Sequence, residues 1–427
     1  MECVHSGLDL FQTPGLQTSV QSGTYVEYRP LAALDEGPIE FSIKGSANYL
    51  DLANTFLKVK AKITQPDGTD LPAAANVVPV NLLLHSLFSD VNVFLNGVQI
   101  TSPSGAYAYQ AYIQTLLSYS PAVKESQLES AFFYADTAGH FNEVEGERNK
   151  GMVKRKALSA ESKTLDMMGR LHSDIFHQGK YLLNYLDVRV KLSRSKDSFL
   201  LTCARDGGNY PPYKVKIIEA GLYVRSIEVS PVIALAHAAT LEKANAVYPM
   251  TKTIMRVFSA AQGSLSLSLD NLFMEKLPNR VVMSFIRGDS FNGHFGLSAF
   301  EFPHCDVNYL TLYHQGKEIP SKALRPDFPN RQYTRAFMSM FHAVNSTWGE
   351  HTSGITLDDY ANGYTLFCFD LTPSLTHCDA AVELAKSGPL QLEVRFGTAL
   401  PRPTNLIVLA EMDGSIEISK TREVLVL

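Results

Sequence analysis

Apolar and polar residues alternate with a period of two along much of this chain. In "PIEFSIKG", Ile39, Phe41 and Ile43 alternate with Glu40, Ser42 and Lys44; in "FLKVKAKI", Leu57, Val59, Ala61 and Ile63 alternate with Lys58, Lys60 and Lys62. Successive side chains of a strand project to opposite faces, so the pattern predicts strands with one buried and one wet face. Gly45 ends the first, and "QPDGTD" after the second has turn chemistry. "DVNVFLNGVQI" (90–100) predicts a hairpin: Val91, Val93 and Leu95 alternate, Asn96-Gly97 tolerates the positive φ of a type I′ turn, and Val98 and Ile100 begin the return strand. Further strands are predicted at 185–193, 213–230, 280–287, 364–371, 390–397 and 405–412.

Two stretches are patterned as helices. One is "AYIQTLLS" (111–118), with a continuation through "KESQLESAFF" (124–133) left open. The other is the Ala-rich "PVIALAHAATLEKANA" (231–246), with Pro231 in the first turn and Pro249 closing it. Residues 1–26 are rich in Gln, Ser, Thr and Gly, carry only Glu2 and Asp9 as charges, and predict an arm.

An internal repeat organises these elements. "DVNVFLNGVQI" (90–100) answers "DVNYLTLYHQGKEI" (306–319), which has three more residues before its turn glycine. "YQAYIQTLL" (109–117) answers "YTRAFMSMF" (333–341), "YLDVRVKL" (185–192) answers "LQLEVRFG" (390–397), and Ser226–Ser230 answers Ser415–Ser419. Each match alone is weak; four in the same order predict two similar domains. The expected organisation is an arm at 1–26, a first domain at 27–230, a helical junction at 231–248 and a second domain at 249–427. Domains of roughly 180–200 residues with about eight strands each suit a sandwich or jelly roll, in which two sheets hide each other's apolar faces. The fold class expected is all-β: two tandem jelly-roll β-sandwich domains with a few short helices.

Composition narrows the function. The 427 residues exceed one ordinary core, and 45% hydrophobic with 19% charged residues is globular. A net charge of -5 argues against wrapping nucleic acid as the main task. The longest apolar runs, at 77–84 and 232–241, fall short of the roughly 20 residues that span a bilayer. No export signal or myristoylation glycine stands at the N-terminus, where Glu2 follows Met1. Cys3, Cys203, Cys305, Cys368 and Cys378 are odd in number and dispersed, which suits reduced thiols.

Catalytic signatures are missing from the sequence: it contains no HExxH, G-x-S-x-G, Walker A, CxxC or H-x-H pattern. His304-Cys305 and His377-Cys378 together offer four potential zinc ligands, but as dispersed dipeptides they read as chance pairs beside strands. His172 and His177, five apart around an expected strand, should point to opposite faces. Asp358-Asp359 reads as surface solvation. "KRK" (154–156), at the basic end of 142–156, reads as part of a solvated loop, with nuclear import as the sharper alternative. Asn345-Ser346-Thr347 fits a glycosylation sequon that stays bare without export. No catalytic, cofactor-binding or metal-binding residue and no cofactor is expected, and the chain is not expected to be an enzyme.

The segments "GPIEFSIKGSANYLDLANTFLKVKAKI", "VNLLLHSLFSDVNVFLNG", "YAYQAYIQTLLSYS", "KTLDMMGRLHSDIF" and "DDYANGYTLFCFDLTP" resemble the double jelly-roll major capsid (hexon-like) proteins of the Polinton/Maverick and adintovirus group. The resemblance runs from about residue 10 to the C-terminus, in a chain compact for such a protein. It implies a homotrimer whose six jelly rolls form a pseudo-hexagonal capsomer. Such capsomers contact their neighbours, a single-jelly-roll penton and minor capsid proteins in an icosahedral shell around double-stranded DNA. It further implies a place in the virion, synthesis in the host cytoplasm with assembly there or in the nucleus, and no sequence-specific nucleic-acid binding. The alternative class is a tandem β-sandwich carbohydrate- or protein-binding module of the lectin or adhesin kind. Such a module would be expected to carry the signal sequence or disulfides not seen here.

Overall fold

The computed structural model of the chain describes residues 16–34, 37–274, 276–343, 353–372 and 386–427. The predicted alternation becomes antiparallel sheet. The strand β1 (Val20–Tyr28) pairs with β10 (Lys214–Val229), which pairs with β3 (Tyr49–Thr64), and β3 with β7 (Leu165–Arg170). A second sheet runs β2 (Ile39–Ile43), β8 (Val188–Arg194), β5 (Phe88–Leu95), β6 (Val98–Gln99). A small ladder joins β4 (Val77–Pro79) to β9 (Leu201–Cys203).

The remaining strands repeat this plan. The order β11 (Ala246–Ala260), β18 (Thr404–Ile418), β13 (Arg280–Arg287), β16 (Phe367–Asp370) matches β1-β10-β3-β7, with β19 (Val424–Val426) added against β18. The order β12 (Ser266–Phe273), β17 (Leu390–Phe396), β14 (Val307–His314), β15 (Lys317–Leu324) matches β2-β8-β5-β6. All four sequence echoes fall on matching elements. The two hairpins are β5-β6 and β14-β15; the DVR and EVR segments lie at β8 and β17; the SIEVS and SIEIS segments end β10 and β18. The helical pair is α1 (Tyr107–Ser118) and α4 (Thr334–His342). Between them in the chain lie α2 (Lys150–Ser159) and α3 (Pro231–Leu241).

Burial explains the pattern. Leu57, Val59, Ala61 and Ile63 of β3 turn inward with Val188, Val190 and Leu192 of β8, while the interleaved lysines stay at least partly exposed. β17 buries Leu390, Leu392, Val394 and Phe396 in the same way. At roughly 1.5–3 kcal/mol for each large apolar side chain removed from water, these inner faces are the main stabilising term. The core is continuous across both halves. Tyr112 of α1 stacks on Phe300 at 4.0 Å between ring centroids, and Tyr109 on Phe291 at 5.4 Å.

Several elements depart from the sequence reading. β1 places Val20–Tyr28 in a sheet although residues 16–26 show little apolar periodicity; its side chains are mostly exposed, and pairing to β10 holds it. α1 ends at Ser118 because Tyr119 is extended, and 124–133 contains short turns rather than a continuation. α3 keeps Pro231 in its first turn but ends at Leu241; Pro249 lies inside β11, paired with Ser415, and does not close a helix. The basic end of 142–156 is no solvated loop, since Lys150 onward forms α2.

Candidate functional site

The two hairpin tips are the best-defined local sites the repeat produces. Asn96 and Gly97 have φ of 45° and 84°, and Gln315 and Gly316 have φ of 50° and 75°, so both turns put two successive residues in the left-handed region. Leu95, just before the first turn, pairs with Val188; the matching Val394 pairs with Leu310, four residues further from its turn at Gln315. The second hairpin therefore runs further past that pair before it turns, and its return strand β15 has 8 residues where β6 has 2, while β14 and β5 have 8 each. The first tip is fastened rather than free. Asn96 Nδ2 donates to the Arg422 carbonyl at 2.8 Å, while its Oδ1 accepts from the Asp187 N–H at 2.8 Å.

The residues considered for chemistry are dispersed. His304 stacks on Phe328 at 4.1 Å, its Nδ1 accepts from the Asp306 N–H, and burial lowers its pKa. Burial pushes the Cys305 thiol up to about 12, away from thiolate character. His377-Cys378, Cys3 and the Asn345 sequon lie outside the described residues. Cys203 and Cys368 are buried, and with Cys305 they are free thiols. Among the described residues no three His, Cys, Asp or Glu side chains are grouped to hold a metal ion.

His172 and His177 do not point apart. The chain between them coils into a tight turn, Asp174–His177, and the two rings come within 6.1 Å. His85 adds a third ring, edge-on to His172 at 4.7 Å, with its Nδ1 3.0 Å from the Tyr107 hydroxyl. Burial pushes the His85 pKa down to about 3 and that of His172 well below the usual histidine range. Neutral imidazoles here serve as hydrogen-bonding core residues. Asp359 caps the short helix Leu357–Ala361 through a reciprocal bond with Thr356, and Asp358 pairs with Arg331. Asp359 is thus a helix cap, and Asp358 remains a surface carboxylate in an exposed pair.

The KRK segment is split by the fold. Arg155 is 2% exposed and ion-paired at 2.7 Å with Asp136, which is 1% exposed. Its guanidinium also donates to the carbonyls of Pro79 and Tyr134, and Asp136 accepts from Asn149 Nδ2 at 2.9 Å. A receptor that reads an extended basic run cannot grasp Arg155 in the folded chain.

β1 and α3 both leave large apolar side chains exposed. β1 is an edge strand, paired only with β10 among the described residues, with Tyr25 51% and Val26 38% exposed. α3 follows directly from β10, contains no charged residue, and leaves Val232 74% and Leu235 71% exposed. The Ser230 N–H donates to the Ser19 carbonyl at 2.9 Å, so the two elements meet. His237 Nδ1, 2.9 Å from the Tyr49 hydroxyl, anchors the helix. No helix among the described residues is long and apolar enough to cross a membrane.

No protein-family model matches the chain. A Caenorhabditis elegans relative, "Uncharacterized protein F54H12.2", is 24% identical over 97% of this chain and 99% of its own length. Among solved structures, a chain of the Sputnik virophage superposes with a TM-score of 0.67 at 12% identity, covering 100% of this chain and 92% of that one. The Faustovirus major capsid protein gives 0.59 at 10% identity over 96% and 93%, and the mavirus major capsid protein 0.52 at 10% over 100% and 96%. At these identities the likeness is one of fold, and the chain has the double jelly-roll fold that these viral major capsid proteins share.

Proposed function

We propose that this chain is a structural major capsid protein of the Polinton/Maverick and adintovirus kind, without turnover chemistry. It self-assembles as trimeric pseudo-hexagonal capsomers in an icosahedral shell that encloses double-stranded DNA. The observation that carries the reading is the repeated strand order, β1-β10-β3-β7 with β2-β8-β5-β6 and then β11-β18-β13-β16 with β12-β17-β14-β15. Two topologically equivalent units in one chain let threefold symmetry present a near-sixfold outline, while each unit diverges for its own contacts. The divisions are an arm ending near the start of β1, a first jelly roll up to residue 230, a junction centred on α3 and a second jelly roll beyond it.

The unpaired edge of β1 and the uncharged face of α3 are the surface that neighbouring copies cover in this reading. A free edge and a contiguous apolar patch are liabilities in a monomer and assets in an assembly. A single-jelly-roll penton and minor capsid proteins complete the shell, and the virion is its location. Native mass measurement and negative-stain microscopy of the protein expressed alone test the reading. Trimers with a hexagonal outline, or closed shells, are expected; a monomer that persists at high concentration would overturn it. Leu235→Glu, on an exposed position, is expected to weaken association while leaving the fold intact.

A further inference from the structure

The internal repeat provides its own control for a feature found in one half only. Between the turn glycine and the end of the following helix, the first copy (98–118) contains no Asp, Glu, Lys or Arg. The matching stretch of the second copy (317–342) carries Lys317, Lys322, Arg325, Arg331 and Arg335 against Glu318 and Asp327. The same hairpin-to-helix connection is thus neutral in one jelly roll and basic in the other.

Three of these cations surround one cavity. A pocket of about 500 Å³ between β15 and the first turn of α4 is lined by Lys322, Arg325 and Arg335 with Gln332 and Tyr333, a volume typical of small-ligand sites. Among the described residues none of the three cations makes an ion pair. Arg335 donates to the carbonyls of Lys322 and Ala323 at 2.6 and 3.0 Å, and Arg325 lies 5.7 Å from the centre of the Tyr309 ring. The one carboxylate on the rim, Glu318, is approached by the Tyr309 and Tyr313 hydroxyls at 3.4 and 3.5 Å. In a chain of net charge -5, three exposed cations that gather at one cavity without ion pairs of their own make it locally attractive to an anion.

We propose that this pocket binds a phosphate group, presented either as free phosphate or by a nucleic-acid backbone. Phosphate fits better than a carboxylate because its tetrahedral oxygens and higher charge accept from donors arriving from several directions, whereas a carboxylate suits one planar fork. Binding adds a single-point contact to the second jelly roll and leaves the first without one. The inference does not rest on the assembly reading, since it concerns the chemistry of one pocket in one chain.

The test uses the full-length chain, orthophosphate by calorimetry, and a fluorescein-labelled single strand of about 20 nucleotides by anisotropy at low salt. Lys322→Ala with Arg325→Ala removes two exposed cations, and is expected to weaken binding by about tenfold or more, as loss of charge-assisted hydrogen bonds does. Lys214→Ala with Lys216→Ala on the exposed face of β10 removes the same charge elsewhere, and should change affinity by less than about twofold if the effect is local. Urea midpoints for both double variants check that the fold is retained. An oligonucleotide that binds far more tightly than orthophosphate assigns the site to a nucleic-acid backbone, and comparable affinities assign it to free phosphate. Equal losses in the two double variants, or no binding of either probe to the unmodified chain, would overturn the proposal.

Discussion

Lys124 Nζ donates to the Ser353 carbonyl at 2.6 Å and to the Leu116 carbonyl at 2.7 Å, so a buried ammonium of the first jelly roll grips the backbone of the second. Burial lowers its pKa to about 8 from 10.5. Between those values the unfolded chain binds the proton and the folded chain does not, so stability rises with pH across the window. The full contribution is on the order of 3 kcal/mol. Lys124→Met is expected to lose this alkaline gain, seen by comparing urea midpoints of the two proteins at pH 7.5 and pH 10.

The histidine row predicts the acid side. With His85 held neutral down to about pH 3, the unfolded state takes up its proton first as pH falls through 6.5, and stability declines from there toward 3. His85→Gln should flatten part of that decline in thermal melts at pH 7 and pH 5. An unchanged slope would remove His85 from the account.

Asp136 and Arg155 predict a contrast within one short basic run. Removing Arg155 orphans a buried carboxylate, and Arg155→Ala is expected to cost about 3–5 kcal/mol. Lys154 pairs with Glu129 at 2.5 Å on the surface, and Lys154→Ala should cost no more than about 1 kcal/mol. Chemical denaturation of the two variants separates the cases.

The hairpin turns predict a symmetric response. Gly97 and Gly316 have positive φ, and a Cβ added at either meets nothing within 4 Å, so the cost of substitution is conformational. Gly97→Val and Gly316→Val should each destabilise by about 1–2 kcal/mol or somewhat more for a branched side chain. Unchanged unfolding midpoints would refute the turn assignment.

Much of the architecture was legible because strand periodicity and turn chemistry are local. β2, the inner face of β3, both hairpins and the ladders at β8 and β17 follow from alternation, β18 from a continuous apolar run, and the order of the four echoes pointed to the correspondence of the halves. β1 was not legible, since an edge strand held by main-chain hydrogen bonds leaves little apolar signature. Pro249 misled because proline is tolerated within an edge strand as well as after a helix. The histidine row was hidden because His85 lies far along the chain from His172, and only packing brings their rings together. The basic pocket was present in the sequence as Lys322, Arg325 and Arg335, but its convergence depends on how α4 returns against β15.

By itself the sequence determined that this is a twofold-repeated β protein, with its strands, turns and duplicated order written in side-chain alternation. The tertiary structure decided which charges are buried and which stay available. Arg155 is locked onto Asp136, Lys124 clamps the two jelly rolls, and Lys322 and Arg325 remain unneutralised at an open pocket. Alternation is a property of neighbours in the chain, whereas desolvation and pairing depend on groups that meet only after the chain has folded.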